Sequence, residues 1–294
     1  MLSVLLASAI PALSAAAGEL AFLPGRADDA RVADIAWRLA TAGRARCAQP
    51  VPANGLVLQH LSQFRPIDRT GILPALPLDR GPGVIAVVAD GPGDRAGIRA
   101  GDVLLAIDGA PLPPEPDLAL PFDADRARRR ADTVADLLQP ARRVTLLRAG
   151  TTLEAALAPL PACPSRVHLA RSGQRNAFAD GVHVFVTTGM LNDLRGDDEL
   201  AFLIAHEMAH NVLGHAAIMR GAKPDRRAVR ALESAADALG ADLVLDAGYD
   251  PVAGAQLLTR IGGSDFGLAL FARHAPVATR LAAISARVAA RRAP

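Results

Sequence analysis

Apolar and polar positions follow different rhythms in three successive stretches of this 294-residue chain. Residues 30–40 repeat apolar side chains at three- and four-residue spacing, which predicts a helix that Gly43 stops. From Pro50 to about Pro161, Pro and Gly become dense and short apolar runs alternate with turns. There, residues 84–88, 103–107 and 144–147 predict strands, the last followed by an Ala149-Gly150 turn. Residues 96–98 predict a short helix, and residues 123–138 a longer one ended before Pro140. Beyond Pro164, residues 167–169 and 182–186 predict a short hairpin whose connection, residues 171–180, is polar. Helices follow over 197–213, 226–247, 251–261 and 275–292. The expected fold class is α+β: a helix, a small β-rich module, then a mainly helical part with a short sheet.

Composition narrows the function classes. Apolar residues make up 51% and charged residues 21%, enough for a buried core. Lys and Arg number 32 against 30 Asp and Glu, a net charge of +2 that lacks the footprint of nucleic-acid binding. Ten aromatic residues (eight Phe, Trp37 and Tyr249) are too few for a base-stacking platform. The first 23 residues carry no basic residue and one acid, Glu19, and small residues at 14–18 follow an apolar run. This reads as a signal peptide over residues 1–17 that lacks the usual basic start, so export to the periplasm or medium is expected; the alternative is a cytoplasmic chain with an Ala-rich first helix. No segment is long enough to cross a bilayer.

The densest chemistry is His206-Glu207-Met208-Ala209-His210 inside an apolar run. Histidines at i and i+4 lie on one helix face, so both imidazoles can bind one cation while Glu207 serves as general base. An apolar helix is mostly buried, and buried His and Glu need partners that a metal supplies. A catalytic zinc takes three protein ligands. His215, five residues past His210, lies about 140° around a continuous helix and is a poor third ligand unless the helix ends at Gly214. Glu233 is the better candidate, and Asp237, at i+4 from it, can hydrogen-bond a ligating histidine.

These residues, with Asp198-Glu199-Leu200-Ala201 before them and Ala247-Gly248-Tyr249-Asp250-Pro251 after, resemble the HtpX and CAAX-prenyl-protease family of zinc metallopeptidases. Residues 176–186 and Gly189-Met190-Leu191 are similar to the family's strand beside the cleft and the helix it leads into. The resemblance covers residues 164–285 and the first helix, and implies the soluble, exported branch. His274 and Arg280 keep the spacing of the family's C-terminal His-Pro…Arg pattern, with Ala275 in place of Pro. On that resemblance His274, Arg280 and Asn176 are candidates for contacts to substrate or transition state.

Residues 83–109 resemble a bacterial PDZ domain: a strand, a Gly/Pro turn, a short helix and a Gly-Asp turn into a second strand, closing on Asp108-Gly109. Such modules bind extended peptides by strand addition and hold a terminal carboxylate. Gly71 and Ile72 are the candidate carboxylate loop, with the 123–138 helix as the opposite wall. The alternative is a module that packs on the peptidase part and binds no free peptide. The expected organisation is a first peptidase helix over 28–47, the inserted PDZ-like domain over 55–160 and the metallopeptidase domain over 164–294. Cys47 and Cys163 bracket the insertion, so a bridge between them would staple its base in an oxidising compartment; two free thiols is the other reading.

The expected function is zinc-dependent endopeptidase action on misfolded or envelope proteins. One Zn2+ per chain would be held by His206, His210 and Glu233, with Glu207 activating water. Substrate would lie along residues 182–186, and the PDZ-like part would capture substrate, including C-terminal peptides, or regulate. The alternative is a quality-control binding protein with a structural zinc site.

Overall fold

The computed structural model describes residues 26–113, 115, 120–221, 224–261 and 275–293; the signal peptide expected over residues 1–17 and His274 lie outside them. The fold is α+β. Helix α1 (Arg26–Ala42) buries Val32, Ile35, Ala36 and Leu39, one stripe at helical spacing, against the main core.

A six-stranded antiparallel sheet follows. Its order is β2 (Leu56–Gln59), β3 (Gly83–Val87), β4 (Val103–Ile107), β6 (Arg143–Arg148) and β7 (Thr151–Ala156), with the short β5 (Ala110–Pro111) paired to β4. The β6–β7 hairpin turns through Ala149 and Gly150, both at positive φ, and β4 turns into β5 through Asp108 and Gly109, also both at positive φ. Helix α4 (Ala124–Leu138), capped by Asp123, buries Val134 and Leu138 on one face of the sheet. A smaller apolar cluster around Leu61, Leu76 and Leu78 is separate from that core. The helix expected at 96–98 forms earlier, as α3 (Pro92–Arg95), because Pro92 takes a first-turn position where its missing N–H costs nothing.

The sheet is joined to the rest at a stem. Strands β1 (Val51–Ala53) and β8 (Leu160–Ala162) pair antiparallel, and beside them Cys47 and Cys163 form a disulfide with Cα atoms 5.5 Å apart. The sheet thus leaves and re-enters the helical part at one place. Further contacts join the two parts: Asp132 and Asp136 of α4 meet Arg166 and His183, and α1 packs on β3, Arg26 donating to Ile85 O.

The helical part surrounds α6 (Asp197–Val212). Residues 200–206, Met208 and Ala209 of α6 are buried, so this helix is enclosed rather than amphipathic. Around it pack α1, α8 (Arg226–Asp246), α9 (Pro251–Ala255) and a three-stranded sheet. One helix was expected over 251–261. Three-residue hydrogen bonds, from Gln256 N to Ala253 O and from Thr259 N to Gln256 O, tighten the turn and split it into α9 and α10 (Leu257–Ile261).

The sheet beside α6 also departs from expectation. Its order is β10 (Ala177–Ala179), β11 (His183–Thr187), β9 (Arg166–Ala170), with β9 and β11 parallel. The expected hairpin partners therefore run the same way. The antiparallel partner of β11 is β10, which lies inside the segment read as a polar loop. Asp180 makes that reversal: its carboxylate accepts from the backbone N–H groups of Val182 and His183, a tight turn at the end of β10.

Asp242 of α8 is the buried anchor of the C-terminal helix α11 (Val277–Arg292). It accepts from Arg46 at 2.9 Å and Arg287 at 2.6 and 2.9 Å, and Arg291 lies 3.2 Å away. Burial would raise its carboxyl pKa, but Arg287, Arg46 and Arg291 outweigh burial and hold it below the ordinary range. A carboxylate depressed on folding stabilises above its unfolded pKa and loses that contribution as pH falls. Denaturant melts should therefore show stability declining below about pH 4, with a shallower decline in Asp242→Asn. Replacing both cysteines by Ser should lower unfolding free energy by about 2–4 kcal/mol, read in the same melts, and reductant should then have no further effect.

Candidate metal centre

Two helices supply the site, and their closeness has a visible cause. Gly240 of α8 lies on the backbone of α6 at His206: a Cβ there would stand 3.2 Å from His206 Cα and N. With no side chain at the contact, α8 seats directly against α6. One and two turns before Gly240, Asp237 and Glu233 then reach the histidines, both carboxylates being buried.

The geometry is compact. His206 Nε2 and His210 Nε2 lie 3.2 Å apart. Glu233 Oε2 stands 3.5 Å from the first and 3.6 Å from the second. Behind this set, His206 Nδ1 is 3.0 Å from Asp237 Oδ1, and Asp237 accepts two 2.7 Å bonds from the buried Arg280. His210 Nδ1 lies 3.0 Å from His215 Nδ1. Glu207 lines the same cleft, beside the backbone N–H of Ala179, and its pKa is raised chiefly by burial.

The electrostatics favour a cation. Burial alone would lower His206, yet the carboxylates of Asp237 and Glu233 outweigh it and raise its pKa to about 10. Burial would raise Glu233, but the two histidines hold it well below the ordinary range. Negative charge here is in demand of a positive partner. Two imidazole nitrogens and a carboxylate oxygen, all within 4.8 Å of one another, suit a divalent ion that takes N and O donors.

The remaining candidates fall in different places. Asn176 lines the cleft at the start of β10, its side-chain Oδ1 buried. Arg280 borders the cleft, but its guanidinium is committed to Asp237, so it braces the carboxylate behind His206. Gly71 and Ile72 do not form a loop: they close the seven-residue helix α2 (Pro66–Ile72), which Pro66 starts. The residues that lead into β2 are instead Asn54 and Gly55, the latter at φ +74°.

The strand expected to receive substrate is also displaced. Residues 183–187 form the middle strand, bonded on both sides, so the sheet's edges are β10 and β9, and β10 is the one that lines the cleft. Asn176 O accepts from Thr187 N and Asp180 N bonds His183 O, so inward pairing falls on even positions. Strand alternation turns the backbone groups of Ala177 and Ala179 outward, along the cleft. The local pattern reads β10 as loop, although the family resemblance sets residues 176–186 beside the cleft, and neither assigns Asn211 a role. The buried Asn211 amide donates to His183 O and Ser165 Oγ, and its Oδ1 accepts from Gly181 N, so α6 is tied to the β10–β11 turn one residue after His210.

Residues 143–223 match the model of Peptidase family M48, and residues 83–119 match that of a PDZ domain. Two segments of the chain are thus similar to an M48 peptidase and to a PDZ domain. The M48 match begins in the β6–β7 hairpin of the PDZ-like sheet, includes His206, Glu207 and His210, and ends before Glu233. Among curated proteins, "Metalloendopeptidase OMA1, mitochondrial" of Danio rerio is 44% identical over 59 residues, 20% of this chain and 12% of the relative. The protein of the same name from Homo sapiens is 45% identical over 56 residues, 19% of this chain and 11% of the relative. The chain thus matches about an eighth of the length of these relatives.

Gly240→Val should force α8 off α6. The expected result is loss of divalent-metal binding, by titration calorimetry, together with a lower melting temperature; Gly240→Ala should cost less of both.

Proposed function

We propose that this chain is a zinc-dependent endopeptidase whose substrate is an extended polypeptide held against the outer edge of β10. The observation that carries the reading is the convergence of His206 Nε2, His210 Nε2 and Glu233 Oε2 beside Glu207, in a cleft bordered by an unpaired strand edge. Zinc bound by these three donors would supply Lewis-acid polarisation of the scissile carbonyl and lower the pKa of water.

The chain's own residues do the rest. The outward backbone groups of Ala177 and the carbonyl of Ala179, whose N–H meets Glu207, can pair with substrate by strand addition, which fixes the scissile bond relative to α6. Glu207 takes a proton from the attacking water and returns it to the leaving amine; desolvation raises its carboxyl pKa, which suits it to both tasks. Asp237, held by Arg280, orients His206. The cleft encloses about 310 Å3 and is walled by Met190, Phe202, Leu203, Leu257 and Ile261, so it suits a large apolar side chain next to the cleavage point.

The PDZ segment fits substrate capture. Strand β2 ends its sheet, leaving an outer edge among the described residues, and Leu56 and Leu58 of β2 pack on the core that α4 covers. A peptide added along β2 would lie beside α4. Export is supported by the Cys47–Cys163 bridge, which persists in oxidising compartments, and by the apolar N-terminal run. No helix among the described residues is long and apolar enough to cross a membrane.

Glu207→Gln should retain zinc and lose casein cleavage by about 10²–10⁴-fold. Glu233→Ala should lose both. Normal cleavage by Glu207→Gln would remove the mechanism, and unchanged zinc stoichiometry and affinity in Glu233→Ala would remove the third ligand.

A further inference from the structure

Each ligating histidine spends Nε2 on the donor set, so its Nδ1 must find a partner behind it. For His206 that partner is a carboxylate, Asp237. For His210 it is a third imidazole. His215 Nδ1 lies 3.0 Å from His210 Nδ1, the two rings nearly perpendicular at 79° with centroids 4.9 Å apart. His215 is 4% exposed, so water does not compete for this contact.

The backbone builds this contact deliberately in one place. Helix α6 ends at Val212, Gly214 takes φ +69°, and His215 opens α7 (His215–Gly221). In a continued helix, residue 215 would point about 140° away from residue 210. The left-handed glycine instead folds His215 back onto the rear of the His210 ring.

A proton must lie between two Nδ1 atoms at this distance, and only one of them can carry it. If His210 carries it, His210 Nε2 keeps its lone pair for a metal. If His215 carries it, His210 Nε2 is protonated and cannot ligate. We propose that His215 is a positioning residue for His210: its Nδ1 accepts the His210 Nδ1–H, fixing His210 in the tautomer whose Nε2 faces Glu233 and His206. This rests on the metallopeptidase reading above. It assigns to His215 the role that Asp237 plays for His206, performed by a neutral acceptor. The site then holds fewer buried negative charges than one with two carboxylates behind its histidines.

The test compares wild type, His215→Leu and His215→Asn by zinc competition against a chromogenic chelator and by the visible spectrum of the Co2+-loaded proteins. Leu fills the space without an acceptor. Asn places Oδ1 near the position of the lost Nδ1. The expected result is zinc affinity about 10–100-fold weaker in His215→Leu, an altered cobalt spectrum, and recovery of both in His215→Asn. Long-range 1H–15N spectra of the zinc-loaded wild type give a second reading independent of any variant's folding: His210 should carry its proton on Nδ1 and His215 on Nε2. Wild-type zinc affinity and spectrum in His215→Leu would overturn the assignment, as would equal losses in Leu and Asn or a proton on His215 Nδ1. Should wild type itself bind no zinc, the metallopeptidase reading falls and this one with it; if wild type binds and cuts while His215→Leu is unchanged, only this one falls.

Discussion

The site depends on the seating of α8 against α6 at Gly240. Carboxylate side chains of Asp and Glu are short, so they reach a histidine on a neighbouring helix only if the two backbones come close. Gly240 allows that approach at the residue where it matters, against the main chain of His206 itself. Everything chemical follows: Asp237 one turn back braces His206, and Glu233 a further turn back faces both imidazoles. The enclosed, apolar character of α6 has the same origin, since a helix packed from several sides has no face left for water.

Burial makes the charges at this site interdependent. Glu233 and Asp237 are buried carboxylates, and isolated carboxylates are costly inside a protein. Arg280 answers Asp237 with a two-point bond, and the histidines answer Glu233. That chain of partners runs from α11 through α8 to α6, so the C-terminal helix takes part in holding a ligand two layers away. Asp242, five residues past Asp237 on α8, repeats the arrangement with Arg46 and Arg287, fastening α8 to α11 and to the segment after α1.

Much of this was legible in the sequence because helical spacing states which side chains share a face. His206 with His210, and Glu233 with Asp237, are pairs of that kind, and each helix was visible from its apolar repeat. What spacing cannot state is direction across a sheet. Residues 167–169 and 182–186 were recognisable as strands, but nothing local distinguishes a hairpin from a parallel pair. The intervening β10 is only three residues long, too short for any alternation to register. Gly71 misled for a related reason: Gly followed by an apolar residue suits a loop, whereas Pro66 starts a helix that carries through it. His215 was weighed as a ligand of the metal because angle along the helix was its only measure. The turn at Gly214 places it against the back of a ligand instead.

The manner in which the β-rich module is fastened has a mechanical consequence. A domain joined by two adjacent strands and one disulfide is free to swing about that stem as about a hinge pin. Here α4 also grips the peptidase sheet: Asp132 bonds both Arg166 and His183, and the main-chain oxygen of His183 is held in turn by Asn211 next to His210. Together with α1, which packs on β3 and bonds Ile85 O through Arg26, these attachments turn a hinge into a bracket. A push on α4, the helix that flanks the β2 edge, therefore bears on the strand order that frames the cleft rather than dissipating as rotation of a loose appendage.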